Sequence, residues 1–198
     1  MPARSACPPA SVTVVVIEDA RQRRRSRQRL AIRYGVPGLT LLFVLATVRL
    51  IAFPKIDEPR PVDAIFMLGG PGPRLDRTLE LARSGIAPTV VISMPGTRRC
   101  PSTADIGRDV RVVCFWPDPK TTQGEAREAA RLARLHGWES ILFVTDRSQD
   151  SRARLRIGRC YDGELLVDAV GTRLRDWPYL FTYQTAAMVK AVVWQRSC

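Results

Sequence analysis

The chain has 198 residues, with 31 Lys or Arg against 19 Asp or Glu and a formal net charge of +12. That length supports one domain with a proper core and little besides. One histidine, no Cys-x-x-Cys pair and no Gly-x-Ser-x-Gly elbow argue against a His/Cys metal site and against a Ser-His-Asp hydrolase, so no metal and no cofactor is expected.

Residues 1–33 carry 8 arginines and 2 acids, are rich in Arg, Pro, Ser and Gln, and show no sustained periodicity. They read as a basic, disordered tail in which the apolar run Val12–Ile17 stands alone. Anionic lipid headgroups and membrane topology account for the tail's charge, so no nucleic-acid partner is expected.

Residues 34–53, YGVPGLTLLFVLATVRLIAF, form the most informative segment. A bilayer core about 30 Å thick needs ~20 mainly apolar residues, and this run matches. Arg49 lies four residues from its end, where a long stem carries the guanidinium to the interface. Pro37 and Gly38 sit near the entrance, where a helix tolerates them best. A soluble core helix would alternate with polar positions, and a cleaved signal peptide would be followed by a small-x-small site. Neither pattern is present, and the reading is an uncleaved signal anchor. Seven arginines between Arg21 and Arg33 precede the span, whereas Lys55, Asp57, Glu58 and Arg60 cancel after it. The positive-inside rule then puts the N-terminus in the cytoplasm and residues 54–198 outside, in a cell-membrane protein.

Residues 54–61, PKIDEPRP, read as a proline-rich linker, and residues 62–198 as the extracytoplasmic domain. Within the domain, short apolar runs at 62–68, 89–93, 111–115, 141–145 and 164–170 predict strands. Helices are predicted over 74–84, from Thr121 or Thr122 to His136, over 148–160 and over 179–195, with a loop at 94–110. Gly85 and Gly137 are the stops, and His136 is a helix C-terminal residue, not a base. Strands alternating with helices predict an α/β fold: a Rossmann-like three-layer domain with a mostly parallel sheet of about five strands, preceded by one transmembrane helix. Ligands bind such sheets beyond the strands' carboxyl ends, which selects the loops 69–74, 93–99, 116–122 and 145–152.

Two readings of these loops compete. Gly69-Gly70-Pro71-Gly72 is either a plain tight turn or an anion cradle opened by Arg74. Thr122 and Glu125, three apart, fit a capping box as well as a chemical role. Arg152 in the first turn of a helix opposes the helix dipole, so it either pairs with Asp146 or Asp150 or holds a ligand. The ligand-binding candidates are Gly69, Gly70, Arg74, Ser93, Thr122 and Arg152, and the acid/base candidates are Asp146 and Glu125.

Of five cysteines, Cys7 lies in the tail, and Cys100, Cys114, Cys160 and Cys198 lie in the outer domain. An even number in an oxidising compartment favours disulfides. Cys100 with Cys114, close in sequence, and Cys160 with Cys198, pinning the C-terminus, are the favoured pairs.

The stretch VDAIFMLGG (62–70), then RLDRTLELARSGIAPTVVIS (74–93), Thr122-x-x-Glu125-Ala126, Val144-Thr145 and Arg152-Ala153-Arg154 together resemble the bacterial family that includes YdcF, SanA and ElyC, over roughly residues 62–195. PDPKTTQGEA and the later Arg159-Cys160-Tyr161 are similar to an actinobacterial-type subgroup. The chain departs from the family pattern at Glu125, usually Asn, and at Gln149, usually His. The second change removes the natural general base near neutral pH. The resemblance implies a Rossmann-like domain with a membrane anchor, linked to envelope integrity and cell-wall precursors.

Three functions follow as expectations. The domain binds an anionic small molecule or lipid-linked precursor; or it is a transferase or hydrolase acting on a phosphate ester; or it is a non-catalytic relative that partners other envelope proteins. An open basic cleft favours the first two, and one plugged by Trp116 and Gln149 favours the third. Membrane lipid is a partner in all three.

Overall fold

The computed structural model describes residues 24, 27–70, 73–94, 96, 99–106 and 109–198. Most of the expected disordered tail, including Val12–Ile17, lies outside the described residues, as do Pro71 and Gly72 of the first loop. Residues 27–33 are helical, however, and extend the apolar helix backwards. The chain divides into two units, Met1–Ala46 and Thr47–Cys198.

The first unit holds most of a helix that runs from Arg27 to Ala52, whose residues from Thr47 onward belong to the second unit. A π-helical turn, Ala31–Gly35, leads into its main stretch, α1 (Val36–Ala52). The helix is long and apolar enough to cross a membrane, and only 11% of its most apolar window is buried, unlike a soluble core helix.

The second unit is an α/β domain. Its strands are β1 (Ala64–Met67), β2 (Thr89–Ser93), β3 (Arg111–Phe115), β4 (Ser140–Asp146) and β5 (Glu164–Val170). All pair in parallel, in the order β3-β2-β1-β4-β5. The helices are α2 (Arg74–Ser84), α3 (Thr103–Ile106), α4 (Thr122–His136), α5 (Asp150–Ile157) and α6 (Trp177–Val193). The expected Rossmann-like α/β layer is therefore present. The short helix α3 interrupts the predicted loop at 94–110, and the predicted helix at 148–160 opens with a 3-10 turn, Arg147–Gln149, before α5.

Central strands β1 and β2 are buried throughout, which is why they read as unbroken apolar runs, whereas edge strands β3 and β5 are partly exposed. One face of the sheet packs Ile65, Val90, Ile92 and Leu142 with Leu81 and Ala82 of α2. The other packs Phe66, Val91, Phe143 and Val167 against the alanine stripe Ala126, Ala129, Ala130 and Ala133 of α4 and against Ile157 of α5. The small alanines let α4 approach a face made bulky by Phe66 and Phe143, whose rings lie 5.3 Å apart. Gly85 and Gly137 end α2 and α4 in the left-handed conformation, with φ of 79° and 68°. His136 stacks on Trp138 at 5.0 Å.

Residues 54–61 do more than link. Asp57 N–H donates to the Val167 carbonyl at 2.9 Å, and Val167 N–H donates to the Asp57 carboxylate at 3.0 Å, so the chain straps the free edge of β5. Arg154 of α5 adds an ion pair to Asp57 at 2.8 Å and a bond to the Lys55 carbonyl at 2.6 Å. Further along, Arg60 pairs with Glu164, and the Asp63 carboxylate accepts from Ser140 N–H at 2.8 Å. The strap thus descends the edge from the carboxyl end of the sheet to its amino end, where β1 starts. It also covers an edge that would otherwise offer unpaired backbone groups to another chain.

Disulfides join Cys100 to Cys114 and Cys160 to Cys198, with Cα separations of 6.0 and 4.9 Å. The second ties the end of the chain to the segment after α5. There Arg159 donates to the Ala191 and Gln195 carbonyls, Gln123 to that of Ser197, and Arg127 to that of Cys198.

Candidate functional site

The strand order reverses direction between β1 and β4, which are paired neighbours. A crevice is expected outside their carboxyl ends. The structure places the loop residues selected from the sequence around it.

Glu125 lies on the first turn of α4 and is 4% exposed. Its Oε1 accepts from Gly69 N–H and from Ser93 Oγ, both at 2.6 Å, which ties α4 to the ends of β1 and β2. The capping box is not formed. Thr121 is the N-cap, Thr122 is the first helical residue, and no side-chain bond caps the helix. The Glu125 side chain is used across the sheet instead of along its own helix. Burial holds its carboxyl above the ordinary glutamate range, against the pull of the Ser93 and Gly69 bonds and of the Arg74 and Arg152 charges.

Arg74, at the start of α2, is 3% exposed. Its Nη1 donates to the carbonyls of Leu68 and Gly69, and its Nη2 to Asp146 and, at 3.2 Å, to Gln149. The guanidinium fills the turn so closely that a Cβ on Gly70, whose φ is +139°, would run into it. Gly70 is therefore required by both its backbone angle and the space beside it. Asp146 is committed to this ion pair.

Arg152, in the first turn of α5, bonds to Thr122 Oγ1 and to Gln184 Oε1 of α6, both at 3.0 Å. It pairs with neither Asp146 nor Asp150, because Asp146 is held by Arg74 and Asp150 by Arg154. Among the described residues Arg152 makes no ion pair and its direct hydrogen-bond partners are neutral. Burial lowers the affinity of its guanidinium for the proton, with Tyr183 and Glu125 pulling the other way.

Gln149 closes the network. It is buried, accepts from Arg74, and donates to Thr122 at 3.3 Å. Trp116 is 64% exposed, whereas Gln149 is buried between Arg74 and Thr122. Gly69, Gly70, Arg74, Ser93, Glu125, Thr122, Arg152 and Asp146 thus come together. Gln184 was missed by sequence reasoning. Its signal was a lone glutamine within the apolar stretch of α6, a pattern that marks a polar group turned inward.

Four buried side-chain polar atoms have no partner among the described residues: Arg74 Nε, Thr145 Oγ1, Ser148 Oγ and Thr172 Oγ1. All belong to segments at the carboxyl edge of the sheet. Beside them a cavity of about 370 Å³ is lined by Pro73, Asp146, Thr172, Arg173, Tyr179 and Leu180, among others. Three of these atoms are hydroxyls, which can donate or accept, and the cavity is also lined by Asp176. Among the described residues no group of three or more His, Cys, Asp or Glu side chains could hold a metal ion.

Glu125→Gln keeps an oxygen for the Gly69 and Ser93 donors and removes the titration. Because the folded carboxyl is raised, its contribution to stability is present below the ordinary value of 4.5 and is lost as pH rises through the folded value. Thermal melts from about pH 5 to about pH 8 should show the wild-type chain losing stability relative to the variant as pH rises. A constant difference would mean that the carboxyl titrates normally.

Fold and site together define a Rossmann-like α/β domain with a buried polar crevice at its switch point, in a chain that also holds a helix able to cross a membrane. No protein-family model, curated protein or solved structure matches the chain.

Proposed function

We propose that this is a single-pass cell-membrane protein with a cytoplasmic N-terminus, and that its extracytoplasmic domain binds an anionic, phosphate-bearing ligand in cell-envelope metabolism. A lipid-linked or nucleotide-linked peptidoglycan precursor fits that chemistry, and membrane lipid is the immediate neighbour. The observation that carries the reading is Arg152, a partly buried guanidinium with neutral hydrogen-bond partners. A buried charge is costly unless an opposite charge meets it, and a phosphate oxygen would do so. The resemblance to the YdcF, SanA and ElyC family supports the envelope assignment. The two disulfides and the arginine-rich flank support the topology.

Calorimetric titration of the full chain in detergent with polyprenyl phosphate, a nucleotide sugar and inorganic phosphate tests the reading. Saturable binding of a phosphate-bearing ligand is expected, weakened about ten- to a hundredfold by Arg152→Gln, as for loss of a charged hydrogen bond. No saturable binding by any of the three removes the proposal. Paired periplasm-active and cytoplasm-active reporters after Cys198 test the topology, and a cytoplasmic C-terminus would overturn it.

Glu125 favours a second reading, a transferase or hydrolase of phosphate esters. A raised carboxyl bonded to Ser93 and flanked by Arg74 has the makings of a general acid, with the arginines stabilising developing charge. An unchanged turnover in an Asp146→Asn, Glu125→Gln double variant would exclude those two carboxylates from such a role.

A further inference from the structure

Helix α6 is apolar on nearly every face, and its outward face is not covered by the rest of the domain. Its sequence, WPYLFTYQTAAMVKAVV, holds one charge, Lys190. Its buried residues are Gln184 and Ala191, so the polar glutamine faces inward. Tyr179, Tyr183, Ala186, Val189 and Val193 recur at helical spacing along the outward face and are all exposed, Tyr179 to 69%. Leu174, just before the helix, is 87% exposed, and Trp194, just after it, is 74% exposed. Isolated exposed apolar residues are ordinary, but a continuous stripe of them marks an interaction surface.

We propose that this stripe is seated in the headgroup–acyl boundary of the bilayer that holds the chain, so that the crevice opens at the membrane surface. Three observations favour lipid over another occupant. First, the point where the chain leaves the apolar helix is fixed to the same end of the domain: Ser151 Oγ donates to the Leu50 carbonyl at 2.6 Å, and Arg154 to that of Lys55. Ser151 lies beside Arg152, which bonds to Gln184 of α6. The membrane exit, the crevice and the first half of α6 therefore share the carboxyl edge of the sheet, from which α6 runs alongside α5 to the Arg159 contacts with Ala191 and Gln195. Second, the residues around the stripe are cationic. Arg173 and Arg175 precede it, Lys190 stands on it with a stem long enough to snorkel, and Arg196 follows, with Asp176 the one acid among them. Anionic headgroups complement that border. Third, the exposed rings of Tyr179, Tyr183 and Trp194 are those that settle at a membrane interface, with an apolar body and a polar tip. The inference concerns the surface and holds whichever ligand the crevice takes.

The full chain, with Cys7 replaced by Ser, carries an environment-sensitive fluorophore on a single added cysteine: Tyr183→Cys, Val193→Cys or, as control, Leu135→Cys. Leu135 is 64% exposed near the end of α4, at the opposite edge of the sheet. The protein is reconstituted into phosphatidylcholine–phosphatidylglycerol vesicles with nitroxide-bearing lipid labelled close to the headgroup. Quenching several-fold stronger at 183 and 193 than at 135 is expected. A Tyr179→Asp, Tyr183→Asp double variant should weaken quenching at 193 while both disulfides remain intact by mass. Equal, weak quenching at all three positions overturns the proposal. So does a label at 183 that is unquenched by lipid but crosslinks to a second copy, which would assign the stripe to self-association.

Discussion

Replacing Arg74 with methionine is expected to destabilise the domain by about 3 kcal/mol and to lower its melting temperature by roughly 10 °C. Methionine fills much of the stem's volume, so the loss falls on the guanidinium. That group satisfies two backbone carbonyls at the β1 turn, the Asp146 carboxylate and the Gln149 amide oxygen. Its removal leaves Asp146 without its cation and the Leu68 carbonyl without that donor. Breaking a buried pair by deleting one partner costs about 3–5 kcal/mol, because the remaining charge is uncompensated. The low end applies here, since Asp146 keeps 17% side-chain exposure and can be partly rehydrated. A double variant, Arg74→Met with Asp146→Asn, should recover part of the loss, and a denaturant-melt cycle of the two singles and the double measures the coupling. A melting temperature unchanged in Arg74→Met would show that the turn holds without its arginine.

Removing the Cys160–Cys198 disulfide is the second large effect. Crosslinking across a separation of 38 residues restricts the unfolded chain by about 4 kcal/mol, against about 3 kcal/mol for the separation of 14 between Cys100 and Cys114. A Cys160→Ser, Cys198→Ser variant should therefore lose more stability than a Cys100→Ser, Cys114→Ser variant, in melts of the full chain in detergent. The longer bridge also anchors the segment that satisfies Gln123, Arg127, Arg156 and Arg159 through the carbonyls of residues 191–198. Gln123 and Arg127 lie on α4, beside Thr122 and Glu125, so release of the C-terminus loosens a helix that carries part of the crevice. Equal losses in the two variants would mean that loop length does not govern their contribution.

The second effect depends on an oxidising compartment, and so on where the domain resides. In a reducing compartment the same chain would lose both disulfides at once and keep the Arg74 ion pair. Topology is thus a determinant of stability as well as of ligand access.

Much of the fold was legible because periodicity is set by near neighbours and by water. Apolar runs doubly covered by helices read as strands, and Gly85 and Gly137 mark helix ends because only left-handed backbone continues there. The apolar span was equally plain, since a bilayer asks only for length and hydropathy. The loops at strand ends were identifiable too, because a parallel sheet gathers them at one edge whatever their residues.

What the sequence could not decide was which partner each polar side chain takes. Glu125 fitted a local cap three residues from Thr122, yet it bonds to Gly69 and Ser93, 56 and 32 residues away. Arg152 had two nearby carboxylates, and each was taken by another arginine. Residues 54–61 had a linker's composition, but the open edge of β5 captured Asp57. In each case a local bond competed with a long-range one of similar intrinsic strength. Burial decided between them: once the sheet brings the groups together, an unsatisfied polar group inside costs more than an exposed cap left to water. The fold class was determined locally, and the pairing within the crevice was decided only by tertiary structure.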